Sequence, residues 1–263
     1  MRLIGLAVTD ESIGEDPTLP QNLALVSIFG LRDEIRQEAK VAVQEAQAAG
    51  IRVVMITGDA KNTARAIAKE MGIIQGDNPV VTTSTELGEM SDSQVRDMLP
   101  NLCVVARALP TDKSRLVKAA KERNWVVGMT GDGVNDAPAV KNADVGFAMG
   151  SGTEMTKESS DIVILDDNFS SLTRAVLYGR TLLKSIRKFL IFQLSVNVAA
   201  ILVAFFGPFF GVDLPLTMTQ MLWINLVMDT LAAIAFAGEA ALSRYMKEPP
   251  IPKNAPLITP DMW

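Results

Sequence analysis

Two apolar runs near the C-terminus constrain this chain more than any other feature. Residues 189–211 read FLIFQLSVNVAAILVAFFGPFFG without a single charge. Residues 214–238 read LPLTMTQMLWINLVMDTLAAIAFAG with one charge, Asp229. Each is about 20 residues or slightly longer, enough to cross a hydrocarbon layer as a helix. The link between them, around Gly207-Pro208 and Gly211-Val212-Asp213, is short, so the pattern predicts a helical hairpin that goes in and back out. The alternative is a buried helical pair, but two charge-poor runs in succession fit poorly inside one soluble core. Lys184, Arg187 and Lys188 precede the first run, Arg244, Lys247 and Lys253 follow the second, and the link carries no Lys or Arg. That bias places both ends in the cytoplasm and the link outside.

The remaining sequence is that of an ordinary soluble chain. With 263 residues there is room for one large domain or two smaller ones. A net charge of −5 gives no reason to expect nucleic acid as a partner. The absence of histidine excludes His-ligated zinc, Ser-His-Asp triads and histidine general bases. One cysteine, Cys103, excludes an internal disulfide or a Cys-rich cluster. The start, Met1-Arg2-Leu3, opens a strand-like run that turns polar by Thr9 and has no signal-peptide character.

Strand and helix patterns alternate. Leu23–Leu31, Ile51–Ile56, Cys103–Ala106, Trp125–Met129, Val145–Ala148 and Asp161–Leu165 are apolar strand candidates. Between them Glu34–Ala49, Asn62–Met71, Thr111–Arg123 and Ala137–Asn142 are helical, the first two closed by Gly50 and Gly72. Such alternation predicts an α/β fold, a parallel sheet with helices on both faces. From Ser170 a helical pattern runs through Arg180 and Lys184 into the first apolar run with no proline, which predicts one long helix. Pro249–Pro260 is expected to be a loop.

In parallel α/β sheets the site lies at the carboxyl ends of the strands. Three strands here end in polar clusters: Thr57-Gly58-Asp59; Arg107, with Lys113 opening the next helix; and TGDGVNDAP, which holds Asp132, Asn135 and Asp136. Two carboxylates four residues apart on a glycine-broken turn make a hard oxygen site suited to Mg²⁺ with phosphate oxygens and water. A nearby lysine neutralises phosphate charge, and a threonine hydroxyl with glycine amides holds phosphate oxygens. Together these residues predict phosphoryl transfer, in which positioning and charge stabilisation carry the catalysis.

The stretch MTGDGVNDAPAVKNADVGFAMG, with VMITGD upstream and ARALPTDKSRLV between, resembles the phosphorylation domain of P-type cation-transporting ATPases of the haloacid dehalogenase superfamily. The likeness continues through SGTEMTKESSDIVILDDNFSSL and both apolar runs. It implies a partial haloacid-dehalogenase-like Rossmannoid sheet, a stalk helix and a transmembrane α-hairpin. It also implies roles. Asp132 would ligate Mg²⁺, with Asn135 and Asp136 supporting the phosphate and the metal shell. Lys113 would contact the phosphoryl group, Thr57 and Gly58 would cradle it, and Asp59 would position nucleotide and metal. Arg107, Asp33 and Arg36 are placed on the ATP side. Asp33 and Arg36 resemble the family's Asp-Pro-x-Arg hinge, with Glu34 where the proline stands, which implies a less rigid backbone there.

The family's Asp-Lys-Thr-Gly-Thr nucleophile motif is not in this sequence, nor is its Thr-Gly-Glu loop. The expected organisation is a remnant of the nucleotide-binding domain and hinge over 1–20 and a phosphorylation domain over 21–172. The stalk and two membrane helices would follow over 173–240, then a cytoplasmic loop over 241–263. On this reading the chain is part of a longer pump and alone forms no aspartyl phosphate. The implied partners are ATP, Ca²⁺, the lipid bilayer and the rest of the parent chain. The implied place is the cell membrane, multi-pass, with the soluble part cytoplasmic.

Polar groups within a span mark ion paths. Gln193, Ser195 and Asn197 lie in the first run, and Asn225 and Asp229 share one face of the second. Amide and carboxylate oxygens suit Ca²⁺ better than soft metals; the bland reading of Asn197 and Asn225 is helix–helix hydrogen bonding. MLWINLVMD resembles the sixth helix of Ca²⁺-ATPases, and SVNVAAILVAF the fifth helix of the plasma-membrane subtype. Ala200 and Met228 stand where the two-site type has Glu and Thr, which implies one Ca²⁺ per cycle on Asn197, Asn225 and Asp229. A counter-transported proton carried by Asp229 also follows from the resemblance. Pumps for Na⁺, K⁺, Mg²⁺ or Mn²⁺ and a soluble phosphatase relative remain alternatives.

Overall fold

The computed structural model describes residues 2–10, 22–31 and 34–258. An antiparallel ribbon of β1 (Arg2–Val8) and β2 (Ala24–Leu31) comes first. Then follow α1 (Gln37–Ala48), β3 (Met55–Ile56), α2 (Lys61–Glu70), β4 (Val80–Thr83), α3 (Ser84–Glu89), α4 (Asp92–Met98), β5 (Leu102–Ala106) and α5 (Pro110–Glu122). The next unit is β6 (Gly128–Gly131), α6 (Ala137–Asn142), β7 (Val145–Met149), α7 (Glu154–Ser159) and β8 (Ile162–Ile164). Two long helices, α8 (Phe169–Phe206) and α9 (Met218–Ala237), follow. The expected parallel pairing is present, but as two three-stranded sheets, β3-β5-β4 and β6-β7-β8, and not as one; the strand expected over Leu23–Leu31 joins neither and pairs antiparallel with β1.

Strand β5 is the hub, with all five residues buried. Leu87, Val95, Leu116 and Ala119 from α3–α5, with Leu99 just after α4, gather with its Leu102 and Val105. Val43, Ala64, Ala68 and Ile73 from the α1 and α2 side gather with its Cys103 and Val104. A strand covered on both faces has no place for polar side chains, which is why it reads as an unbroken apolar run.

Boundaries moved where hydrogen-bond partners decide them. The expected strand over 51–56 forms a ladder only at Met55–Ile56, against Val104 and Val105. The one expected over 125–129 begins its ladder at Gly128, although the Val127 carbonyl already accepts from the amides of Asp144 and Val145. Residues 80–98 carry elements beyond those expected. Their helices start at two capping boxes, Thr83 with Glu86 and Ser91 with Gln94, each satisfying amide donors that the first turn leaves free.

Helix α8 spans 38 residues, a rod of about 57 Å at 1.5 Å per residue. Asn168 caps it by accepting from the Ser170 amide at 2.9 Å. No proline interrupts it, and Gly179 lies in open space. α9 packs antiparallel to it, with the Phe236 ring 6.4 Å from Phe189 and 6.1 Å from Phe192. The link is longer than the sequence suggested. It runs through a tight turn at Gly207–Phe210 and Gly211 at φ 83°, and α9 starts only at Met218. Pro215 packs on Gly207, and Thr217 caps α9 with Gln220, so the chain cannot become helical at Leu214. Both apolar windows in the helices Phe169–Phe210 and Met218–Ala237 have no residue buried within the protein, unlike core helices of a soluble domain.

The segment after α9 returns to the soluble part. The Arg180 guanidinium on α8 donates to the carbonyls of Tyr245 (2.7 Å), Glu248 (2.8 Å) and Ala49 (2.7 Å). Lys184 pairs with Glu248 at 2.7 Å and stands 4.5 Å from the centre of the Tyr245 ring. Further along, Lys253 donates to Asp144 at 2.5 Å, at the start of β7. Burial opposes ionisation of Asp144, but bonds from Lys253 and the Val127 amide, with the Lys121 charge, hold its carboxyl below the usual range.

Candidate functional site

The polar residues expected to act together sit at the carboxyl ends of β3, β5 and β6. At the end of β3, the Thr57 hydroxyl donates to an Asp59 carboxylate oxygen and accepts from the Asp59 amide, both at 3.1 Å. The Ala108 amide donates to the Thr57 carbonyl at 2.9 Å and the Arg107 amide to the Asp59 carbonyl at 3.0 Å. Arg107 adopts a left-handed backbone, φ 50°, to make this crossing. The turns after β3 and β5 are thereby knitted into one rim, with Gly58, Asp59 and Arg107 exposed on it.

The turn after β5 leads directly into α5, whose first turn carries Lys113. Asp112 beside it is buried and accepts from the Leu109 amide at 2.8 Å, fixing the helix start. The Lys113 ammonium is ion-paired with Asp136 Oδ1. The other oxygen of Asp136 accepts from the Asp132 amide at 3.4 Å. One buried carboxylate thus joins the lysine of one sheet to the glycine turn of the other. Asp132 and Asn135 are exposed at the same turn. Among the described residues no hydrogen bond or ion pair engages the Asp132 carboxylate.

Glycines make room for this packing. A Cβ on Gly131 would stand 2.4 Å from Asp136 Cβ and 3.0 Å from a methyl of Val140. Gly131→Ala is therefore expected to destabilise the chain by about 1–3 kcal/mol through overpacking. A denaturant titration checks this; an unshifted midpoint would mean that the turn yields freely.

The structure also shows supporting residues that the sequence reading had not assigned. The Thr153 amide donates to the Asp132 carbonyl at 2.9 Å. The fully buried Thr156 donates to the Gly133 carbonyl at 2.8 Å and shares a 2.8 Å hydroxyl contact with Thr153. The signal was two threonines three apart just after the β7 glycine turn. Asp33, expected on the ATP side, lies outside the described residues. Arg36, just before α1, is exposed. Its charge reaches Asp167, whose carboxyl is held below its usual range first by the Ser151 amide. Among the described residues, no hydrogen bond or ion pair joins Arg36 to the Thr57 or Asp132 turns.

The donors fit a hard divalent cation. Asp132 offers a free carboxylate, and Asp136 stands beside it with both oxygens engaged. Among the described residues no three acidic, Cys or His side chains converge, so a metal here would complete its shell with phosphate oxygens and water, as Mg²⁺ does. Lys113 adds positive charge, and the rim at Thr57–Gly58 adds a hydroxyl and an uncrowded backbone. That arrangement can bind and polarise a phosphoryl group.

In the hairpin, the contacts of Phe236 with Phe189 and Phe192 fix the helix register. Carried two turns along the antiparallel pair, that register puts Asp229 level with Asn197. Asn225, one turn from Asp229 on the same face, lies further from the soluble part. Oδ1 of Asp229 is buried and has no hydrogen-bond partner. Ser195 is exposed and spends its hydroxyl on the Ile191 carbonyl at 2.8 Å.

Residues 2–144 match the haloacid dehalogenase-like hydrolase family, and residues 213–263 match the cation transporting ATPase C-terminus. The chain is 47% identical over 248 residues to calcium-transporting ATPase 7, plasma membrane-type, of Oryza sativa subsp. japonica, a match covering 92% of this chain and 24% of that one. It is 43% identical over 283 residues to plasma membrane calcium-transporting ATPase 3 of Homo sapiens, covering 100% and 23%. Its fold is similar to the crystal structure of a zinc-transporting PIB-type ATPase in an E2.Pi state, with TM-score 0.58 and 25% identity over 85% of this chain and 29% of that one. The chain spans about a quarter of the length of the curated relatives it matches.

Proposed function

We propose that this chain, which belongs to the haloacid dehalogenase-like hydrolase family, is the phosphate-handling and ion-carrying part of an ATP-driven pump that moves Ca²⁺ out of the cytoplasm. The observation that carries this reading is the presence of two incomplete sites in one chain, one in the soluble part and one in the apolar hairpin. The Asp132–Asp136–Lys113 turn lies in the soluble part, and an unpartnered Asp229 oxygen lies in an apolar hairpin. α8 runs from the soluble part into the hairpin without a break.

At the soluble site, Asp132 and Asp136 would hold Mg²⁺, which would neutralise phosphate charge when bound. Lys113 would draw charge from the transferring phosphoryl oxygens, and Asp136 keeps that ammonium oriented. Thr57 and Gly58 would cradle the same group, and Asp59, Arg107, Arg36 and Asp33 would serve the nucleotide side. The phosphorylated aspartate is expected on a segment of the full pump outside this sequence, which contains no Asp-Lys-Thr-Gly-Thr motif. In the hairpin, Asn197, Asn225 and Asp229 would hold one Ca²⁺. An all-oxygen set favours a hard dication over zinc or copper, although the solved neighbour of similar fold is a zinc transporter.

ATP-dependent Ca²⁺ uptake into inverted vesicles, by a full-length pump carrying this sequence, tests the reading. Uptake is expected with the native sequence and should be lost in Asp229→Asn. Phosphoenzyme formed in response to Na⁺, K⁺, Mg²⁺ or Mn²⁺ but not Ca²⁺ would keep the pump and change its ion.

A further inference from the structure

Among the described residues, three buried side-chain polar atoms lack a hydrogen-bond partner: Arg187 Nε, Gln193 Oε1 and Asp229 Oδ1. The last two are oxygen acceptors, and both lie in the apolar hairpin. Arg187 sits nearer the soluble part and donates through another nitrogen to the Pro256 carbonyl at 3.2 Å. Asp229 belongs to the ion site already proposed. Gln193 does not, and nothing described so far explains it.

Its position is fixed by its neighbours. Phe189, Gln193 and Asn197 follow at intervals of four, so they form one stripe along α8. Phe189 at the foot of that stripe packs on Phe236 of α9. Glu239, just beyond α9, accepts from Ser185 at 3.2 Å and pairs with Lys188. Both contacts agree with the register read from the phenylalanines. In that register Gln193 is level with Ala232 and Ala233, neither of which carries a side-chain hydrogen-bond donor. It stands about 6 Å along the axis from Asn197, on the side of the soluble part. The Phe189–Phe192–Phe236 cluster lies between it and the Lys188–Glu239 pair at the rim. An amide oxygen with no donor in a dry setting is costly. A cation, which brings no lone pairs of its own, is the chemical complement of two such oxygens one turn apart.

We infer that Gln193 is a cation-binding residue of the transport path. Its carbonyl oxygen takes a hard divalent cation arriving from the cytoplasm and passes it one turn deeper, to Asn197 and Asp229. This rests on the pump reading above and extends its site toward the cytoplasm. The aromatic cluster then forms the entrance, and the Lys188–Glu239 pair its rim.

The test compares Gln193→Leu and Gln193→Glu with Asp229→Asn in a full-length pump carrying this sequence. Equilibrium binding of radioactive Ca²⁺ without ATP and the Ca²⁺ dependence of ATP hydrolysis are both read. Losing one oxygen ligand in Gln193→Leu should raise the half-saturating Ca²⁺ concentration about tenfold, the equivalent of about 1.4 kcal/mol, by more than the maximal rate falls. Gln193→Glu, which keeps an oxygen there, should bind at least as tightly as the native protein. An unchanged half-saturating concentration in Gln193→Leu, while Asp229→Asn abolishes binding, overturns the role of Gln193 and leaves the pump reading intact. Equal weakening by Leu and Glu also overturns it, because a hydrogen bond to another helix would then explain the residue. If Asp229→Asn has no effect either, the pump reading is what fails.

Discussion

Asp136→Asn is expected to lower the melting temperature of the chain and, in a full-length pump carrying this sequence, to stop phosphoryl transfer, whereas Asp132→Asn should do only the second. The two aspartates are four residues apart on one turn, but their surroundings differ. Asp136 is buried, with its side chain 8% exposed, and its partner Lys113 is 20% exposed. Removing one member of such a pair strands the other charge away from water, which costs about 3–5 kcal/mol for fully buried pairs. Partial access of Lys113 to solvent puts the value near the low end, about 3 kcal/mol, or roughly 6–10 °C for a chain of this size. The Asp132 carboxylate is exposed and unpaired, so its loss removes no interaction within the fold. Trp125 packs against the β5–α5 core, so tryptophan fluorescence on heating reads the difference in lipid nanodiscs. Lys113→Met combined with Asp136→Asn should recover part of the melting temperature without recovering turnover, since the stranded ammonium is gone. Equal melting temperatures for the two aspartate variants would show that the Lys113–Asp136 pair does not hold the two sheets together.

The site was legible because its residues are local. Thr57-Gly58-Asp59 and TGDGVNDAP each compress a strand end and a polar turn into a few positions, and parallel topology puts such turns on one rim. The hairpin was legible for the same reason, since a run without charges declares its environment. What escaped depends on distant partners. The Lys253–Asp144 bond joins residues 109 apart, and Arg180 reaches carbonyls 65, 68 and 131 positions away. No local pattern encodes a backbone carbonyl as a partner, so Arg180 read as one more cation on a helix. The short ladder of β3 escaped because an apolar run shows the capacity to pair, and its neighbour decides how far it pairs. The helices over 84–98 had signals, the Thr83–Glu86 and Ser91–Gln94 boxes. Those signals went unread because apolar periodicity in six or seven residues is too short to stand out.

In a full-length pump carrying this sequence, a proline at position 184 is expected to separate ATP hydrolysis from transport. α8 starts at the Asn168 cap in the soluble part and ends past Asn197, so a shift at the Asp132 turn can reach the hairpin along one rigid rod. Position 184 lies between the Arg180 clamp and the first wholly apolar turn. Lys184→Pro removes the amide that bonds toward Arg180 and sets a ring against that carbonyl, at a cost of about 3 kcal/mol or more and with a kink. The soluble turns at Thr57, Lys113 and Asp132 lie in other elements and should keep their geometry, so hydrolysis should persist while Ca²⁺ moved per ATP falls. Lys184→Met separates the rod from the ion pair. It deletes the bond to Glu248, but both side chains are about one-third or more exposed, at 32% and 45%. Such a pair is worth at most about 1 kcal/mol, so coupling in Lys184→Met should stay close to native. Uptake and hydrolysis measured on the same vesicles give the ratio directly. A native ratio in Lys184→Pro would mean that α8 is not the lever. The connection would then run through the segment after α9, which reaches the start of β7 by Lys253 and Asp144 and bypasses the kink.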